Sequence, residues 1–116
     1  LFRSDPERAE ALLLDARRIE PRNPETYTQL GALLLEQRNP YGALGEFDEA
    51  LRLAPSADAW SNRGTALYLR GRPDEAEAAF RRALDLTPCH PNARHNLRRL
   101  YEQRGAPLDL PPGCPP

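Results

Sequence analysis

Gly31, Ala43, Phe47, Ala50 and Pro55 are each matched 33 residues later, by Gly64, Ala76, Phe80, Ala83 and Pro88. A period of this size marks supersecondary units stacked side by side. The same marks extend upstream at an offset of 34, where Ala9, Leu13, Ala16 and Pro21 stand before Ala43, Phe47, Ala50 and Pro55. Helix-like sequence from Asn92 onward occupies one further register. Such a chain does not build one central core. Each unit buries its apolar face on its neighbour, so the fold has to be a stack with two distinct ends.

Caps and breakers predict six helices. The first is expected to begin at Pro6, with Asp5 as N-cap and proline at the first helical position, and to stop near Ile19 before Pro21. The second is expected over about 25–38 and the third over about 40–53, opened by Asn39. The fourth is expected over about 58–70 and the fifth over about 73–86, with Gly71 suited to the left-handed turn between them. The sixth is expected over about 92–104. Beyond it, Pro107 opens a helix that Pro111, Pro112 and Pro115 do not let continue, so the tail is expected to be extended or disordered.

The pattern resembles the tetratricopeptide repeat family. One copy is carried by Tyr27, Leu30, Gly31, Leu34, Ala43, Phe47, Ala50 and Pro55, and the next by Trp60, Arg63, Gly64, Leu67, Ala76, Phe80, Ala83 and Pro88. Arg63 departs from the family's usual leucine, and the linker after Pro55 is one residue short. The resemblance implies an all-α, right-handed α-solenoid of antiparallel helix pairs, with two complete repeats flanked by two half-repeats. The expected divisions are 1–23 (a B helix without its A partner), 24–56, 57–90, 91–106 (an A-type capping helix) and 107–116 (the tail). Arg98 fills the place of Gly31 and Gly64, where a small side chain lets A and B helices approach. Arginine there holds a B partner away.

The same periodicity places Leu30, Leu34, Phe47, Ala50, Leu51, Trp60, Leu67, Phe80, Ala83 and Leu84 between helices, with Trp60 the member expected to bury least. Asp48 with Arg52 and Glu77 with Arg81 are spaced as exposed ion pairs.

Composition then removes function classes. The 16 basic and 17 acidic residues nearly cancel, which leaves no electrostatic footprint for nucleic acid or an anionic membrane. No apolar run reaches the ~18–20 residues of a membrane span, and Leu1-Phe2-Arg3 does not open a signal peptide. Without an initiating methionine the chain reads as a fragment or a processed form, and no compartment is assigned, the cytoplasm being slightly favoured. Cys89 and Cys114 could close one loop in an oxidising compartment, but the tail is expected to be too mobile to hold them together. Cys89, His90 and His95 lack the four-ligand spacing of structural zinc. With no phosphate loop and no nucleophile–base pair, no enzyme activity and no cofactor are expected.

The resemblance also implies a concave wall of A helices that receives an extended peptide or a partner's helix. Ser61 is among the positions expected to face it, and the expected peptide-binding residues are Gln29, Asn62, Thr65, Tyr68, Leu69, Asn96 and Arg99. Gln29, Asn62 and Asn96 form one row of side-chain amides, which carry both donors and an acceptor for a peptide backbone. The family's basic clamp for a C-terminal carboxylate is not matched, since Thr28, Asn92 and Asn96 stand at its positions and only Asn62 agrees. The expected partner is therefore a protein or peptide. The alternative is self-association through the terminal helices, a homodimer formed by the unpaired face of Leu12, Leu13 and Ala16.

Overall fold

The computed structural model describes residues 5–115. The opening residues 1–4, including the segment read above as no signal peptide, and Pro116 of the tail lie outside the described residues. Six helices follow one another: α1 (Pro6–Ile19), α2 (Pro24–Glu36), α3 (Pro40–Leu53), α4 (Ala57–Leu69), α5 (Pro73–Leu86) and α6 (Pro91–Arg104). All regular structure among the described residues is helical. The expected helices are present, with ends shifted by one or two residues. Pro24, Ala57 and Pro91 already belong to their helices, whereas Arg38 and Arg70 fall in the turns that end theirs.

α2 packs on α3 and α4 on α5, while contact between α3 and α4 joins the two pairs. α1 lies against α2 at one end and α6 against α5 at the other. The result is an all-α solenoid, 45 × 29 × 25 Å in extent.

Two kinds of helix ending alternate along it. α2, α4 and α6 each close with a left-handed residue, Arg38, Gly71 and Gly105. The next amide then returns to a carbonyl five residues back: Asn39 to Leu34, Arg72 to Leu67 and Ala106 to Tyr101. This pattern satisfies carbonyls that the helix end leaves open and turns the chain sharply into a following antiparallel element. α1, α3 and α5 end instead at Glu20, Ala54 and Thr87, each followed by a proline. α6 thus ends as α2 and α4 do.

The close approach inside each pair depends on glycine. A Cβ on Gly64 would stand 2.5 Å from Cε1 of Phe80, and Gly31 faces the Phe47 ring in the same way. Of the ten expected core residues, Leu30, Phe47, Ala50, Leu67, Phe80, Ala83 and Leu84 are buried. Leu34, Leu51 and Trp60 are half-buried. Trp60 shows its ring to the guanidinium groups of Arg63 and Arg82, 5.9 and 5.7 Å from its centroid.

Arg63 explains its own departure from leucine, because its Nε donates to Asp48 Oδ1 at 2.7 Å and ties α4 to α3. The expected Asp48–Arg52 pair is therefore not made, and Arg52 turns to Glu49, with Nε donating at 2.9 Å. Glu77 and Arg81 pair as expected, at 3.1 Å.

The tail corrects a sequence expectation. Cys89 and Cys114 are joined in a disulfide, with Cα atoms 5.3 Å apart. The segment from Ala106 forms no helix, but Leu108 and Leu110 pack, partly buried, on the core cluster that contains Ala93 and Leu97. The left-handed Gly105 sends the chain back along α6 towards Cys89. In an extended conformation, at roughly 3.1 Å per residue, the nine residues from Gly105 to Cys114 outreach α6, whose 14 residues span about 21 Å. Closing a loop of 25 residues stabilises the folded chain by about 3.5 kcal/mol in the chain-entropy account.

Candidate functional site: a groove pocket between α4 and α6

A helices contact one another across the stack, α2 with α4 and α4 with α6, and these contacts line the face away from the B helices. Between α4 and α6 this face sinks into a pocket of about 290 Å³. Thr65, Tyr68 and Leu69 line it from α4, Asn96, Arg99, Leu100 and Gln103 from α6, and Phe80 from beneath. A recess of this size has room for one or two side chains, at the lower end of the range of ligand pockets.

The pocket has an apolar floor and a polar rim. Phe80 and Leu100 are buried and reach it from the core, whereas Leu69 is exposed at its edge. Across the rim, Tyr68 donates its hydroxyl to Gln103 Oε1 at 2.7 Å, and Asn96 Nδ2 donates to Thr65 Oγ1 at 3.4 Å. Both bonds span α4 and α6, so the rim also holds the two walls together. Arg99 is exposed and makes no ion pair among the described residues.

Five of the seven sequence-derived residues, Thr65, Tyr68, Leu69, Asn96 and Arg99, thus surround one pocket. Gln29 is exposed on α2 and Asn62 is half-buried on α4, and neither lines it. Ser61, one of the positions read as facing the groove, is instead buried, 1% exposed. Phe80 and Leu100 carry the opposite lesson. Their core spacing gave no sign that the edge of the same ring or side chain also floors a recess.

The α6 wall is held at both ends. At its start, His90 caps the helix, its Nδ1 accepting the Ala93 N–H at 3.2 Å. That leaves the ring proton on Nε2, 2.6 Å from Asp58 Oδ1 on α4. At its end, Arg104 donates to Glu77 Oε1 at 2.6 Å and to Asp74 Oδ1 at 2.7 Å on α5. Tyr101 donates to Glu77 as well. The Tyr101 hydrogen bond, reinforced by those from Arg104 and Arg81 and opposed by partial burial, lowers the Glu77 carboxyl to about 2.

Cys89, His90 and His95 do not gather as ligands. Cys89 is held in the disulfide, and no group of three or more His, Cys, Asp or Glu side chains suited to a metal ion occurs among the described residues.

The α1 residues Leu12, Leu13 and Ala16 lie at the other end of the stack. α1 has no buried residue, and Leu12 and Ile19 are 62% and 69% exposed. Leu13 and Ala16 are half-buried. No described helix is long and apolar enough to cross a membrane.

A family model described as tetratricopeptide repeat matches residues 28–92, more than half of the chain. This chain belongs to the tetratricopeptide repeat (TPR) family. Among its relatives is superkiller protein 3 of Schizosaccharomyces pombe, 41% identical over 80 residues, a match covering 68% of this chain and 6% of that protein. The peroxisomal targeting signal receptor of Saccharomyces cerevisiae is 34% identical over 76 residues, which cover 65% of this chain and 12% of the receptor. The TPR chain described here therefore spans only a small part of these relatives' length. A crystal structure of MamA shares its fold with a TM-score of 0.72 at 20% identity, covering 90% of this chain and 67% of the other. As a TPR chain it has the general character of a protein-interaction module, in a family of generally non-catalytic modules.

Proposed function

We propose that this chain receives an extended polypeptide or a partner's helix in the concave groove, with the pocket between α4 and α6 as its anchor. The observation that carries the reading is the convergence of Thr65, Tyr68, Leu69, Asn96 and Arg99 from two successive A helices around one recess with an apolar floor. An apolar side chain of the guest enters over Phe80 and Leu100. Its flanking peptide unit exchanges hydrogen bonds with the Asn96 amide, and an acidic neighbour meets Arg99. Gln29 and Asn62 extend the amide row towards α2 for the rest of the guest. Recognition is by shape and hydrogen bonding, without a cofactor.

The test is a peptide-library selection on the intact chain followed by calorimetry on variants. Asn96→Ala combined with Arg99→Glu is expected to weaken a selected peptide roughly tenfold or more, while Leu12→Glu at the far end leaves it unchanged. Equal affinity for the groove variant and the parent would overturn the reading.

One observation favours a second reading, self-association. The outer face of α1 carries Leu12 and Ile19 in the open, and exposed apolar surface of this kind draws a partner. Sedimentation decides it: a concentration-dependent dimer abolished by Leu12→Glu supports the second reading, and a monomer at all concentrations rejects it.

A further inference from the structure

The tail takes the route of a fourth B helix without being one. Pro107 follows the left-handed Gly105 by two residues, just as Pro40 follows Arg38 and Pro73 follows Gly71. From there it returns along α6 as irregular chain, laying Leu108 and Leu110 on the core cluster to which Ala93 and Leu97 belong. A full B helix does not fit in its place. In the complete repeats the incoming phenylalanine ring rests where a glycine Cβ would be, and α6 has Arg98 at that position. A thin extended segment is the occupant that Arg98 permits.

Little besides the disulfide keeps it there. The two leucines are only partly buried, and the Arg94 guanidinium donates to Pro111 O at 2.8 Å and to Pro88 O at 3.3 Å. These contacts oppose the conformational entropy lost in ordering the tail, a loss that is smaller at its prolines than at its other residues. Cys89 is exposed and Cys114 half-buried, so a thiol in solution reaches the bond.

We propose that the Cys89–Cys114 disulfide is a redox-sensitive clip that holds the tail in the vacant B position and thereby holds α6 as the outer wall of the groove pocket. Its functional consequence rests on the groove reading above. Its mechanical part rests on the tail geometry alone. The covalent step is exchange with a dithiol reductant. One reductant thiolate attacks a protein sulfur and the S–S bond breaks, forming a mixed disulfide and releasing one cysteine thiolate. The second reductant thiol then displaces the other cysteine. The protein gains two electrons and two protons as two thiols, and the reductant leaves as its own disulfide. With the tail free, α6 keeps its contacts to α5 at Glu77 and Asp74 but loses its outer packing. Four residues of the pocket lining, Asn96, Arg99, Leu100 and Gln103, move with it.

The experiment compares the chain purified without reductant, the same chain in dithiothreitol, and a Cys114→Ser variant. Intact mass is expected to be lower by two hydrogens in the first form than in the second. Hydrogen exchange of α6 amides is expected to be roughly tenfold or more faster in the reduced chain and the variant, with α2 and α4 unchanged. A peptide selected on the oxidised chain is expected to bind the reduced form roughly tenfold more weakly. Two free thiols after air or glutathione-disulfide oxidation, or equal α6 exchange in all three forms, overturns the clip. Faster α6 exchange with unchanged peptide affinity overturns its control of the groove. A selection that yields no groove-binding peptide overturns the groove reading instead, and the exchange comparison then decides the clip by itself.

Discussion

Arg38 and Gly71 occupy the same left-handed turn one repeat apart, at φ 59° and φ 76°. Only the second is a residue for which that conformation is free of a Cβ penalty. Glycine also loses more backbone entropy on folding, which offsets part of the gain. Arg38→Gly is expected to raise stability by about 0.5–1 kcal/mol in denaturant titration. A lowered midpoint would contradict the assignment of strain to this turn.

The residue after each of those turns shows the reverse asymmetry. Asn39 caps α3 by accepting the Gly42 N–H at 3.0 Å, whereas Arg72, with nearly the same backbone angles, gives α5 no side-chain cap. Arg72→Asn supplies the missing acceptor and is expected to stabilise the chain by about 1 kcal/mol. Thermal unfolding checks it, and no gain would mean that α5 already satisfies its first turn through solvent.

Gly64 and Phe80 fix the spacing of the second pair. Gly64→Ala forces the buried ring to move and is expected to cost about 1–3 kcal/mol. Phe80→Leu withdraws the ring atoms nearest that Cβ, so the alanine is expected to cost measurably less when combined with Phe80→Leu than by itself. Additive effects in the double-mutant cycle would show that the two positions do not meet.

Acid acts on the end of the stack through Glu77. Its carboxyl is lowered to about 2 from an ordinary 4.5, so it is ionised and its bonds to Tyr101, Arg104 and Arg81 are intact above the unfolded value. That stability is fully present above about pH 4.5 and is lost as pH falls from there towards 2. Allowing for solvent screening, the loss is about 1–2 kcal/mol. Glu77→Gln is expected to be less stable at neutral pH and to flatten the pH profile in this window. An unchanged acid slope would remove Glu77 as its source.

The fold was legible because its signal is redundant. Each Gly–Phe pair, each proline stop and each B-helix start repeats, so a single departure such as Arg63 does not hide the period. The site was legible to the extent that it depends on helix phase, which brought five predicted residues to one pocket. Phase failed at Ser61, buried against neighbours whose bulk no periodicity records. Partner choice among nearby charges was also hidden, since Asp48 reaches Arg63 across helices rather than Arg52 along its own. The disulfide was not legible because a proline-rich composition by itself marks a mobile tail and gives no direction of return. Gly105 and Pro107, in register with the turns after α2 and α4, carry the direction of its return.

The groove pocket is tested most directly by amide chemical-shift mapping of the oxidised chain during titration with a selected peptide. The expected result is a set of saturable shifts centred on Thr65, Tyr68, Leu69, Asn96, Arg99 and Gln103. Shifts confined to α1 or to the B helices, with these residues unmoved, would contradict it.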